Sequence, residues 1–211
     1  MGRSLVIATS NPDKVREIRA LLADVAVNLR TLGDYPPVPE PEEPGATFEE
    51  NARIKAEAYA RALREWLVPD ALVVAEDSGL VIDALDGLPG VHSARFLGPH
   101  TGYPARFAEI GRRLSERPAA PRSARFVCAL AAADREARVC CETRGVVEGR
   151  IAETPAGTGG FGYDPIFFYP PYGRTLAEVA DEEKRAVAHR GQAFRAFADW
   201  LAGARSLEPR A

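Results

Sequence analysis

One stretch limits what this chain can fold into more than any other: Val73-Val74-Ala75-Glu76-Asp77-Ser78-Gly79-Leu80-Val81-Ile82. An apolar run gives way to two adjacent carboxylates, a hydroxyl and a glycine, and then turns apolar again. The run reads as a buried strand that delivers charge at its end. Parallel-sheet enzymes hold ligands beyond the carboxyl ends of their strands. Two neighbouring acids there repel each other and lose hydration, which a divalent cation offsets. The competing local reading is a strand that stops in an Asp-Ser-Gly turn, since these residues favour turns on their own account.

The rest of the chain narrows the class. Its 211 residues, 46% of them hydrophobic, suffice for one domain or one two-lobed domain with a sizeable core. We read residues 1–203 as that domain and residues 204–211 as a frayed tail. A net charge of -3 without a Lys/Arg stripe argues against binding a nucleic-acid polymer. No apolar run is long enough to span a membrane, and Leu5-Val6-Ile7-Ala8 is too short for a signal-peptide core. Cys128, Cys140 and Cys141 do not suit a disulfide framework and read as thiols in a reducing, cytoplasmic compartment. Of 27 basic residues only Lys14, Lys55 and Lys184 are lysine. Where lysine survives so strong a drift to arginine, a compact point charge is expected to be needed.

In chain order, a strand from Ser4 runs into Thr9-Ser10-Asn11-Pro12-Asp13-Lys14. Asn11 is a good helix cap and Pro12 suits the first helical position, so a helix follows to about residue 23. A helix start with two hydroxyls and an amide makes an anion site, through its backbone N–H groups and dipole. A second strand precedes a stiff acidic loop over residues 33–46, which contains Glu40, Glu42 and Glu43. Thr47-Phe48-Glu49-Glu50 is a capping box that opens a helix to residue 63, on which Asn51 and Lys55 share a face. Residues 83–102 read as a long structured loop, 104–117 as a helix, and 123–133 with 137–147 as a hairpin. In Gly157-Thr158-Gly159-Gly160-Phe161-Gly162-Tyr163-Asp164, Phe161 and Tyr163 offer faces for stacking a base, and Asp164 offers an acceptor for a ring N–H. Lys184 and Arg190 fall near one short element, where Arg190 can donate to a purine carbonyl edge.

These blocks, with Pro89-Gly90-Val91-His92-Ser93-Ala94-Arg95, resemble the inosine triphosphate pyrophosphatase (Ham1-like) family over roughly residues 4–201. The resemblance implies an α/β fold with an elongated mixed central sheet flanked by helices, and two lobes with an active-site cleft between them. It implies Mg²⁺-dependent hydrolysis of dITP, ITP or XTP to the monophosphate and pyrophosphate by a homodimer. Position by position, it implies that Thr9, Ser10, Asn11, Pro12, Asp13 and Lys14 hold the phosphates, and that Glu43 and Asp77 bind Mg²⁺, with Glu42 the alternative to Glu43. Asp77 becomes the base for the attacking water, with Ser78 touching substrate beside it. Phe161, Gly162, Tyr163 and Asp164 meet the base, and Lys184, His189 and Arg190 complete its recognition. Glu76, where the family often has Asp, is left without a job. Two rivals stand beside this reading: a Maf-like pyrophosphatase that prefers pyrimidine or modified nucleotides, and a non-catalytic nucleotide sensor.

Overall fold

The computed structural model describes residues 2–206, with side chains through residue 203. Seven strands form one mixed sheet in the order β2-β1-β3-β4-β5-β6-β7. β1 (Arg3–Ile7) pairs in parallel with β2 (Val27–Thr31) and with β3 (Leu72–Ile82). β4 (Ser123–Ala133) and β5 (Val139–Ile151) follow, joined by a turn in which the Asp134 N–H donates to the Arg138 carbonyl. β6 (Phe167–Tyr169) is antiparallel to both β5 and β7 (Arg174–Thr175). The helices are α1 (Pro12–Leu21), α2 (Phe48–Leu63), α3 (Tyr103–Ser115), α4 (Asp181–Val187) and α5 (His189–Ser206).

The chain forms two compact units. Unit 1 comprises the chain through Asp77, Cys128–Gly145, and the chain from Arg190. Its core sets Leu5, Ile7, Leu72, Val74, Cys128 and Leu130 of the sheet against Ile18 and Leu22 at α1 and Phe194, Phe197 and Leu201 of α5. Unit 2 comprises Ser78–Val127 and Val146–His189. Its core gathers Leu80, Ile82, Ile110, Phe126, Tyr163 and Phe167.

Local chemistry sets most element boundaries where the sequence placed them. β3 is one exception. It continues through Ser78 and Gly79 for 11 residues, so the Asp-Ser-Gly turn does not form. Gly79 is tolerated in the strand because Ser93 Oγ occupies the space a Cβ would need, and that same oxygen accepts the Leu80 N–H at 2.9 Å. The loop over residues 83–102 contains two 3-10 turns, Asp83–Leu85 and Gly90–Arg95. α5 runs to Ser206, into the stretch read as frayed; residues 207–211 of that reading lie outside the described part. Among the described residues no helix is long and apolar enough to cross a membrane.

Candidate active site

In unit 1, β1 leads into α1 through Thr9-Ser10-Asn11. Asn11 Oδ1 accepts the N–H groups of Asp13 at 2.9 Å and Lys14 at 3.3 Å. Thr9 Oγ1 accepts the Asn11 N–H at 3.2 Å. The expected cap is present, and it changes the expected anion site. Asn11 itself takes two N–H groups of the first turn, which leaves fewer of them for an anion. The Lys14 ammonium lies 3.2 Å from Glu76 Oε1.

The acidic loop is fastened to α2. The capping box is present, with the Glu50 N–H on Thr47 Oγ1 at 3.1 Å and the Glu50 carboxylate accepting the Thr47 N–H at 3.2 Å. Asn51, fully buried, accepts the Gly45 N–H at 2.8 Å and donates to Asp77 Oδ2 at 3.1 Å. A Cβ at residue 45 would collide with Asn51 Oδ1, so the close approach requires glycine. Two residues before this fastening, Glu43 Oε1 accepts from Lys55 Nζ at 2.8 Å, and the same ammonium reaches Asp77 Oδ1 at 3.1 Å. Glu43, rather than the exposed Glu42, is therefore the loop acid that comes to Asp77 through Lys55.

The electrostatics separate the two acids of β3. Burial raises the Asp77 pKa; Lys55 opposes the rise and Glu43 adds to it, leaving Asp77 above its ordinary range. Burial lowers the pKa of Lys55, but Asp77 and Glu43 outweigh that and hold it charged. Burial decides the direction at Asp77, and the two carboxylates decide it at Lys55. Burial also pushes Glu76 up, but Arg190, Lys14 and Lys55 overcome it and hold Glu76 well below the usual carboxylate range. Successive strand residues face opposite sides of a sheet. Leu72 and Val74 face the core built on α1 and α5, and Glu76 continues that alternation. Asp77 faces Asn51 and Lys55 of α2.

Arg190, read in the sequence as a donor to a purine edge, meets two carboxylates. Its guanidinium is buried in unit 1, donating to Glu76 Oε1 from Nε at 3.1 Å and Nη2 at 3.0 Å, and to Glu17 Oε2 from Nη1 at 2.6 Å. A guanidinium buried between two carboxylates is held as an ion pair.

In unit 2, the glycine-rich loop folds back on Asp164. Asp164 Oδ2 accepts the Phe161 N–H at 2.8 Å and the Lys184 ammonium at 2.6 Å. Gly160 has φ +64°, and a Cβ there would strike Asp164 Oδ2. The Lys184 ammonium also lies 4.9 Å from the centre of the half-buried Phe161 ring. Tyr163 corrects the stacking expectation. Its ring is buried in the unit 2 core, edge-on to Tyr103, with its hydroxyl donating to the Ser93 carbonyl at 2.9 Å. An aromatic ring with one polar tip is more stable inside a core when the tip finds an acceptor. His189 is buried and stacks on Phe126 at 4.9 Å. Ser78 is half-buried and follows Asp77 along β3. Asn51, Glu17 and Cys128 were not among the site residues read from sequence. Asn51 had a signal, four residues before Lys55 on one helix face; Cys128 had none.

A model of the Ham1 family matches residues 5–200. The chain belongs to the Ham1 family. It is 47% identical over 192 residues to a dITP/XTP pyrophosphatase of Geobacillus kaustophilus, a match that covers 91% of each chain. Among solved structures, a HAM1 protein from Coxiella burnetii superposes with a TM-score of 0.85 at 37% identity, over 95% of this chain and 99% of that one. The Staphylococcus aureus Ham1 protein gives a TM-score of 0.82 at 34% identity, with the same coverage. The mixed sheet flanked by helices is thus the architecture of this Ham1 family chain and of its solved relatives.

Proposed function

We propose that the chain hydrolyses non-canonical purine nucleoside triphosphates (dITP, ITP and XTP) to the monophosphate and pyrophosphate. The observation that carries the proposal is the Asp77 carboxyl. It is buried, oriented by Asn51 and Lys55 where it can accept a proton, and held above its ordinary range by burial. Family relatives that are named dITP/XTP pyrophosphatases supply the substrate class.

Asp77 takes the proton from the water that attacks the α-phosphorus, and Asn51 and Lys55 keep its carboxyl aimed. Lys14 donates to the phosphates, with Thr9, Ser10 and Asn11 lining the start of α1. Phe161 stacks on the base. Asp164 accepts a ring N–H, and the Lys184 ammonium donates to a 6-keto oxygen. Adenine presents an amino group there, which leaves Lys184 facing a donor and sets the preference against ATP. We assign this donor role to Lys184 because its ammonium lies beside Asp164 and 4.9 Å from the centre of the Phe161 ring.

Mg²⁺ suits the residues present. Among the described residues no three His, Cys, Asp or Glu side chains gather to hold an ion. Mg²⁺ keeps several waters and commonly takes only one or two carboxylates plus substrate phosphates. Glu43 and Asp77 are such a pair, two acids sharing one ammonium. Held there, Mg²⁺ would neutralise charge on the phosphate oxygens. A cytoplasmic homodimer belongs to the same reading, and the free cysteines suit a reducing compartment.

The test is pyrophosphate release with Mg²⁺ from dITP, ITP, XTP, GTP and ATP. Asp77→Asn is expected to lose about 10²–10⁴-fold in kcat while remaining folded. Lys184→Met is expected to narrow the ITP-to-ATP preference by roughly tenfold or more. Near-normal turnover by Asp77→Asn would end this reading of the site.

A further inference from the structure

We propose that Glu76 is a positioning residue that tethers the Lys14 ammonium at the start of α1, and that the Cys128 thiol in turn holds Glu76. The inference rests on the reading that Lys14 serves the phosphates. It gives a role to the acid of β3 that the mechanism leaves unused.

Four observations carry it. Glu76 is buried, 4% exposed, on the side of β3 that faces α1 and α5. Its Oε1 faces Lys14 Nζ at 3.2 Å together with Arg190 Nε and Nη2. Its Oε2 accepts from Cys128 Sγ at 3.2 Å, and Cys128 is fully buried. The Lys14 side chain is 17% exposed, so its ammonium is anchored on one side and still reachable.

The physical need is specific. A cation in the first turn of a helix opposes the helix dipole, and a flexible lysine loses rotamer freedom whenever it is fixed. A buried carboxylate beneath it offsets both costs before substrate arrives. The carboxylate can do so only if its own rotamer is fixed. Arg190 fixes one oxygen and the Cys128 thiol, a small weak donor in a tight site, fixes the other. Lys14 and Arg190 at its oxygens also make Glu76 a poor place for a further cation, which separates its task from that of Asp77.

A double-mutant cycle tests the tether, with kcat/KM for dITP read from pyrophosphate release. Lys14→Met and Glu76→Gln are each expected to lower kcat/KM by about tenfold or more. In the Lys14→Met background, Glu76→Gln is expected to cost less than about threefold, because the group it positions is already gone. Disturbing Arg190 alone would instead give the same loss in both backgrounds. If Lys14→Met costs nothing, the phosphate role of Lys14 falls. If Lys14→Met is costly and the Glu76→Gln loss adds in full, the tether alone falls. Should Glu76→Gln fail to fold, the Cys128 series decides: Cys128→Ala lowers kcat/KM severalfold with an intact melting transition, and Cys128→Ser recovers most of that loss. Equal activity of Cys128→Ala and the parent overturns the role of the thiol.

Discussion

Burial of Tyr163 carries a pH signature at the level of a single residue. Burial pushes its hydroxyl from 10.0 to about 12, with Arg106 opposing and Tyr103 adding to the rise. A folded-state pKa raised above the unfolded value means the folded protein holds this proton more tightly. The associated stability is fully present below pH 10 and is lost as pH rises through about 12. Tyr163→Phe removes the titrating group, so its melting temperature should fall less steeply across that window than the parent's. Parallel slopes would show that the hydroxyl ionises as freely in the folded chain as in the unfolded one.

At the level of elements, the join between the acidic loop and α2 is the part whose failure should be most informative. Gly45 lies against Asn51, and Asn51 donates to Asp77. Gly45→Ala forces the loop off Asn51 at a cost of about 1–3 kcal/mol. Measured activity should then need a severalfold higher Mg²⁺ concentration for half-saturation, with kcat at saturating Mg²⁺ nearly kept. An unchanged Mg²⁺ dependence would detach Glu43 from metal binding. The same elements show what a sequence reveals and what it hides. The Asn11 cap and the Thr47–Glu50 box were legible because their partners sit within three residues. β3 was only half legible, since the local turn preference of Asp-Ser-Gly gave way to an extended strand seated on Ser93. Arg190 and Cys128 were illegible in their roles, because their partners lie 173, 114 and 52 residues away. Fixing a motif's position in the chain does not fix which carboxylate its guanidinium will meet.

For the molecule as a whole, the three lysines share one structural setting. All three meet a carboxylate: Lys14 on Glu76, Lys55 on Glu43 and Asp77, Lys184 on Asp164. Their side chains are 17%, 9% and 5% exposed. This arrangement reaches beyond the site. A protease that cuts only after lysine finds each of its three targets folded away in a helix, whereas one that cuts after arginine has exposed targets outside helices and strands such as Arg117 and Arg138. Under native conditions, lysine-specific cleavage should therefore proceed only through opened molecules and track the opening equilibrium. Rapid cutting at Lys14, Lys55 or Lys184 of the folded protein would contradict that protection. Otherwise the three lysines act as a built-in gauge of how often the chain comes apart.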